Sequence, residues 1–278
     1  MMLINQRICI ALLSLFFCTQ ATSYEIRDLK IVSDDPAFLD RGLAKSHWFN
    51  EGKSGDYSYL VVEDPTDKAP SKLVERFELR HGDCRNRKNP GKSLEGDCNT
   101  GRQRIEIGVD KLQLKSKSNF NKKNSSKEFW YGWSIYFPED YVSVPQYVTP
   151  YFGQFHARNK GERVVMPVIT FVETSGVYRA NGSAIADKDE LRGRWHKVEL
   201  HVRWSETNDG FIRIYANGNE IFSLENSATT TREQVTFKYG IYRGKEYSLR
   251  YPENYEWPTQ VVYFSNVKKA LSREGLNP

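Results

Sequence analysis

Eight short runs rich in β-branched and aromatic residues, separated by turn-forming stretches, leave this chain little room to be anything but β. They are YSYLVVED (57–64), VERFELRHG (74–82), RIEIGV (104–109), FWYGWSIYF (129–137), KVELHVRW (197–204), FIRIYANGNEIFSL (211–224), VTFKYGIYR (235–243) and QVVYFSNV (260–267). Asn217-Gly218, set between two such runs, predicts a type I′ hairpin because both of its turn residues tolerate positive φ. Only 36–46 and 187–192 carry helical-turn signals, and no internal repeat or linker-like stretch divides the chain. Many short strands in one long unit must stack their apolar faces. The expected fold is all-β, a concanavalin-like jelly-roll sandwich of two antiparallel sheets with a concave groove.

The first residues report on compartment. Arg7 precedes an apolar run from Ile8 to Phe17, and Ala21-Thr22-Ser23 offers small residues before a cut at Tyr24. This predicts a signal peptide over 1–23, a single domain over 24–278, and a secreted or periplasmic product. The apolar run is too short to cross a bilayer, so no membrane attachment is expected. Removal of the leader takes Cys9 and Cys18 with it and leaves Cys84 and Cys98, which in an exported protein should form a disulfide.

Charge is uneven along the chain. Residues 76–127 hold fourteen Lys/Arg against six Asp/Glu, although the whole chain carries only 40 against 35. A local basic excess predicts an anionic partner. With export and no nucleic-acid motif, the partner expected is an acidic polysaccharide, not nucleic acid. A monomer is the default.

Alternation also assigns faces, because successive strand residues point to opposite sides of a sheet. Phe77 and Leu79 oppose Arg76, Glu78 and Arg80. Ile105 and Ile107 oppose Arg104 and Glu106. Phe155 opposes Gln154 and His156, while Phe237, Tyr239 and Ile241 oppose Lys238, Gly240 and Tyr242. If these four strands share a sheet, their polar sides build one groove. A single polar face is uninformative alone, since any half-solvated strand has one. No histidine spacing suits a catalytic zinc, and no glycine-rich phosphate loop or serine elbow is present.

Three segments in order, an early R-x-E, QFH at 154–156 and FKYGIYR at 237–243, resemble the signature of jelly-roll polysaccharide lyases, the group of alginate, glucuronan and heparin-lyase-I-like enzymes. FWYGWSIYFPEDY, GRWHKVELHVRWSETNDGFIRIYANG and the closing VVYFSNV are more similar to the heparin-lyase-I-like and glucuronan-lyase-like branch. Arg243-Gly244 replaces the Asn-Gln that follows the tyrosine in alginate lyases, and the first motif has two candidates, Arg104 or the Arg76/Arg80 pair. Arg104 is favoured because it follows the cysteine loop.

The resemblance implies β-elimination on a uronic-acid polymer. Its catalytic residues would be His156 as general base, Tyr242 as the acid that protonates O4 (or as both), and Gln154 with Arg104 on the uronate carboxylate. Arg80, Arg76, Lys238, Arg243 and Glu106 would bind substrate. Lys238 or Arg243 would lower the Tyr242 pKa, and Glu106 would orient an arginine. No cofactor or metal is implied; calcium serves some relatives structurally, but no oxygen-ligand loop marks it here. Two rivals remain. One is a non-catalytic acidic-glycan-binding sandwich using Trp130, Trp133 and Trp257. The other is a jelly-roll glycoside hydrolase, which would need two flanking carboxylates and has no matching motif.

Overall fold

In the computed structural model the protein is described over residues 26–35, 39, 47–48, 55–84, 97–113, 127–144, 149–159, 166–230, 232–244 and 255–277. The predicted leader, the interior of the cysteine loop and most of the lysine-rich 115–127 segment lie outside these residues. Among the described residues fifteen strands run in chain order: β1 (Ile31–Ser33), β2 (His47–Trp48), β3 (Tyr59–Glu63), β4 (Leu73–Leu79), β5 (Gln103–Gln113), β6 (Glu128–Tyr136), β7 (Tyr151–Arg158), β8 (Met166–Thr174), β9 (Val177–Ala180), β10 (Ser183–Ala186), β11 (Trp195–Arg203), β12 (Gly210–Ala216), β13 (Asn219–Ser227), β14 (Gln234–Arg243) and β15 (Gln260–Ala270). They form an eight-stranded sheet, β1-β3-β4-β15-β6-β11-β12-β13, and a seven-stranded sheet, β10-β9-β8-β7-β14-β5-β2. Every strand pairing is antiparallel, as expected for a jelly-roll sandwich.

The sheets bury one continuous core between them. Phe77 and Ile135 from the larger sheet meet Ile105, Phe155, Phe237 and Tyr239 from the smaller one, all essentially inaccessible to solvent. Each such side chain contributes on the order of 1.5–3 kcal/mol by leaving water. Phe155 and Phe237 are direct cross-strand partners, their rings stacked at 4.6 Å. That pair fixes the β7–β14 register, since a slip of one residue would turn Phe155 outward and His156 into the core.

Three hairpins use the same turn chemistry. Asn217-Gly218 forms the expected turn, with φ of 49° and 89°. Ser175-Gly176 (55°, 87°) and Asn181-Gly182 (44°, 90°) do the same between β8, β9 and β10, strands that the alternation does not announce. The helical signal at 187–192 yields only turns and an isolated bridge, and the one at 36–46 falls almost wholly outside the described residues.

Candidate active site

The outer face of the seven-stranded sheet gathers the groups of interest from three adjacent strands, with β14 between β5 and β7. β5 presents Arg104 and Glu106, β14 presents Lys238, Gly240 and Tyr242, and β7 presents Gln154, His156 and Arg158. Phe152 and Phe155 both enter the core, because a register irregularity at Gly153 absorbs one residue and keeps Tyr151 on the same outer face as Gln154.

A continuous polar row crosses this face. His156 Nε2 lies 2.7 Å from Gln154 Oε1, Gln154 Nε2 donates to Glu106 Oε1 at 2.5 Å, and Arg104 Nη1 donates to Glu106 Oε2 at 3.0 Å. Gln154 and Glu106 belong to strands on either side of β14, so their bond passes over its backbone. Gly240, the β14 partner of Glu106, lies against β5 so closely that a Cβ there would meet the Ile105 carbonyl oxygen and the buried Phe77 ring. The row ends with the Arg104 guanidinium over the Tyr242 ring, 4.2 Å from its centroid, and Tyr151 packs beside that ring at 5.7 Å.

His156 and Tyr242 therefore share a sheet and a face, and both are partly exposed. They do not touch. His156 is paired with Thr236 and Tyr242 with Tyr151 and Arg104, six β14 residues away. The His156 ring turns along the row toward Gln154, hence toward the Tyr242 end, and a register irregularity between Tyr239 and Tyr242 bends β14 within that interval.

Asp97, adjacent to Cys98, approaches the other side of Arg104, with Oδ2 3.0 Å from Nε. The disulfide joins Cys84 to Cys98 as expected, their Cα atoms 5.0 Å apart. It anchors the turn that delivers Asp97. Replacing both cysteines by serine should lower stability by about 3 kcal/mol for a loop of about fifteen residues, and Tm by roughly 6–12 °C. Thermal melts in the absence of reductant check this.

The electrostatics follow from burial. The His156 pKa is pushed down to about 2, first by burial and then by the charges of Lys238, Arg104 and Arg158. Tyr242 is raised above the usual phenol value, again mainly by burial; Arg104 and Arg102 oppose the rise, while Glu106 and Asp97 add to it. Lys238 and Arg243 are thus not what governs this phenol. Burial also disfavours the Arg104 charge, but Glu106 and Asp97 outweigh it and raise the pKa.

Several expected substrate contacts are corrected. Arg76 and Arg80 lie on and just after β4, which belongs to the opposite sheet. Arg76 is 3% exposed, ion-paired to Glu78 and donating to the Tyr57 carbonyl; Arg80 also pairs with Glu78 and covers the Tyr57 ring. Neither reaches the β5–β14–β7 face, so Arg104 is the arginine of this row. Arg243 points inward, because it follows Tyr242 by one residue. It is buried, with its guanidinium donating to Gln260, Gln103, and the Leu79 and Pro258 carbonyls. It ties the two sheets together at one end of the sandwich. Glu106 is 0% exposed and cannot meet a polymer; it holds Arg104 and Gln154 instead. Gln154 is also buried, and its amide is engaged by Glu106. Trp133 belongs to the core, not to any glycan platform.

Asp97, Arg102, Tyr151 and Arg158 border the row without having been expected there. Tyr151 and Arg158 open and close the YFGQFHAR strand and share its polar side, so only the Gly153 irregularity hid Tyr151. Among the described residues, no group of three or more His, Cys, Asp or Glu is arranged to hold a metal ion.

Comparison with known proteins gives this face its context. A family model described as polysaccharide lyase matches residues 41–268, which include every member of the row. The chain belongs to the polysaccharide lyase family. Among solved structures, the lyase is similar to an endo-β-1,4-glucuronan lyase from the fungus Trichoderma reesei, with 17% identity, a TM-score of 0.55, and coverage of 81% of this chain and 90% of that one. An alginate lyase from Pseudomonas aeruginosa shares 15% identity at a TM-score of 0.44, covering 78% and 86% of the two chains. At 17% identity the likeness to the glucuronan lyase is one of fold. No curated protein sequence matches the lyase.

Proposed function

We propose that the lyase is exported and cleaves an anionic, uronic-acid-containing polysaccharide of the glucuronan, heparin-like or alginate-like kind by β-elimination at the β5–β14–β7 face. The observation that carries this reading is the row from His156 to Tyr242 on one sheet face, bordered by Lys238, Arg104, Arg102 and Arg158. A uronate C5–H is a weak acid while the neighbouring carboxylate is ionised, and Arg104 with Lys238 would neutralise the charge that builds there. Gln154, expected on the uronate carboxylate, would instead orient His156, since its amide is committed to Glu106.

His156 takes the C5 proton, and the C5–H electron pair becomes the C4=C5 double bond. The C4–O4 pair leaves on oxygen, and the Tyr242 hydroxyl protonates it. Imidazolium and phenolate then exchange their proton through water, returning both groups to the starting state. A bound polyanion offsets the cations that depress His156 and makes its imidazole a stronger base when substrate is present. The six-residue spacing along β14 favours a second reading, in which Tyr242 serves as both base and acid and His156 helps to hold the carboxylate.

Two measurements test this reading. Purified protein is incubated with glucuronan, polymannuronate, polyguluronate, heparin and heparan sulfate while ultraviolet absorbance of the unsaturated product is followed. Turnover on one polymer is expected; retention on an anionic-glycan column with no absorbance change on any of them would favour a binding module. His156→Ala should reduce turnover roughly 10²–10⁴-fold if the imidazole is the base. A loss below about tenfold would transfer the base role to Tyr242.

The pH profile follows from the shifts. The imidazole of the free protein protonates only as pH falls toward about 2, and the phenol ionises only above its usual range. Between roughly pH 5 and 9, kcat/KM should therefore be flat. The acid limb of kcat should lie at higher pH than that of kcat/KM, because bound substrate raises the imidazole pKa. An acid limb in kcat/KM near pH 6.5 would show His156 titrating as an ordinary solvent-exposed histidine.

A further inference from the structure

Glu106 is fully buried, lies among the catalytic candidates and touches no solvent. A carboxylate paired with a guanidinium is acceptor-only, and its two oxygens are divided here between Arg104 Nη1 and Gln154 Nε2. This partition determines which way the Gln154 amide faces. With the NH₂ group held by Glu106, the amide oxygen is the atom presented to His156, 2.7 Å from Nε2. An amide oxygen accepts only, so Nε2 must carry the hydrogen. A neutral imidazole has one N–H, which leaves the lone pair on Nδ1.

We infer that Glu106 is a positioning residue that selects the His156 tautomer at a distance, through Gln154, and so makes Nδ1 the nitrogen able to accept a proton. The inference rests on the reading of His156 as base. It gives a direction to the row: acceptor at Glu106, amide turned by it, imidazole oriented by the amide. Orientation of an imidazole by hydrogen bonds beyond its first partner is a general means of fixing its tautomer.

The test reads the tautomer directly. Two-bond proton–nitrogen correlation spectra of the ¹⁵N-labelled full chain, with the His156 signals assigned as those lost in His156→Gln, should show Nε2 protonated and Nδ1 bare in the wild type. Glu106→Gln is isosteric but can donate to the Gln154 oxygen. It should turn the amide over, move the proton to Nδ1, and lower kcat about 10²-fold with KM little changed. Glu106→Asp, which remains acceptor-only, should keep the wild-type tautomer and recover part of the rate.

A wild-type His156 protonated on Nδ1 overturns the inference without any variant having to fold. A Glu106→Gln protein with unchanged tautomer and unchanged kcat overturns it equally. Because the spectrum is recorded without substrate, its failure is separable from failure of the enzymatic reading. Turnover by a wild type with the wrong tautomer removes only the role of Glu106. The expected tautomer without turnover on any uronate polymer supports the hold of Glu106 on the ring and removes the lyase mechanism.

Discussion

Tyr242→Phe should lower kcat on the accepted polymer by roughly 10²–10⁴-fold, the contribution of a positioned proton donor, with little change in KM or Tm. The substitution is clean because the ring's packing does not use the hydroxyl. The Arg104 guanidinium lies over the ring centroid at 4.2 Å, and Tyr151 packs against it at 5.7 Å. Phenylalanine keeps both contacts. What disappears is a phenol that burial holds above its usual pKa, hence protonated at neutral pH and able to give its proton to the departing O4. The variant should also lose the alkaline limb of the rate profile. Steady-state kinetics beside a thermal melt provide the check. A folded variant with turnover within a few-fold of wild type would take the hydroxyl out of the mechanism under both readings of His156.

What the sequence disclosed of this site was its faces. Alternation placed Gln154 and His156 opposite Phe155, and Tyr242 opposite Ile241, and the sandwich preserves both assignments because the core is continuous on one side of β7 and β14. Sheet membership was not legible. Arg76 and Arg80 show the same local pattern as Arg104, and nothing within β4 reveals that it pairs with β3 and β15 instead of β14. Pairing is a non-local property, and each strand's alternation is blind to it.

Burial on a polar face was hidden for a related reason. Glu106 and Gln154 have the residue types of a solvated surface, yet each is enclosed by its neighbours in the row. Arg243 was open to a better reading: one residue after Tyr242, it had to point the other way, and only its charge argued for the groove. The β8–β10 hairpins were likewise announced by Ser175-Gly176 and Asn181-Gly182, signals of the same class as Asn217-Gly218.

Gly240 joins the fold to the site, and Gly240→Ala should damage both. Its φ of +128° lies where residues with a side chain are strained. A Cβ there would stand 2.3 Å from the Ile105 carbonyl oxygen and 2.9 Å from the Glu106 Cα, backbone atoms of the adjacent strand that cannot swing aside as a side-chain tip does. Relief requires β5 and β14 to separate or β14 to rotate. The first breaks ladder bonds beside Glu106, and the second displaces Lys238 and Tyr242 from the outer face. Strain and ladder loss together should reduce stability by about 3 kcal/mol or more, seen as a shifted midpoint in urea. In the protein that remains folded, movement of Glu106 relative to Gln154 should reduce turnover beyond the loss of folded population. Wild-type stability in Gly240→Ala would mean that the β5–β14 pair is more yielding than its register implies, and wild-type specific activity would mean that the bond passing over β14 is not needed to hold His156.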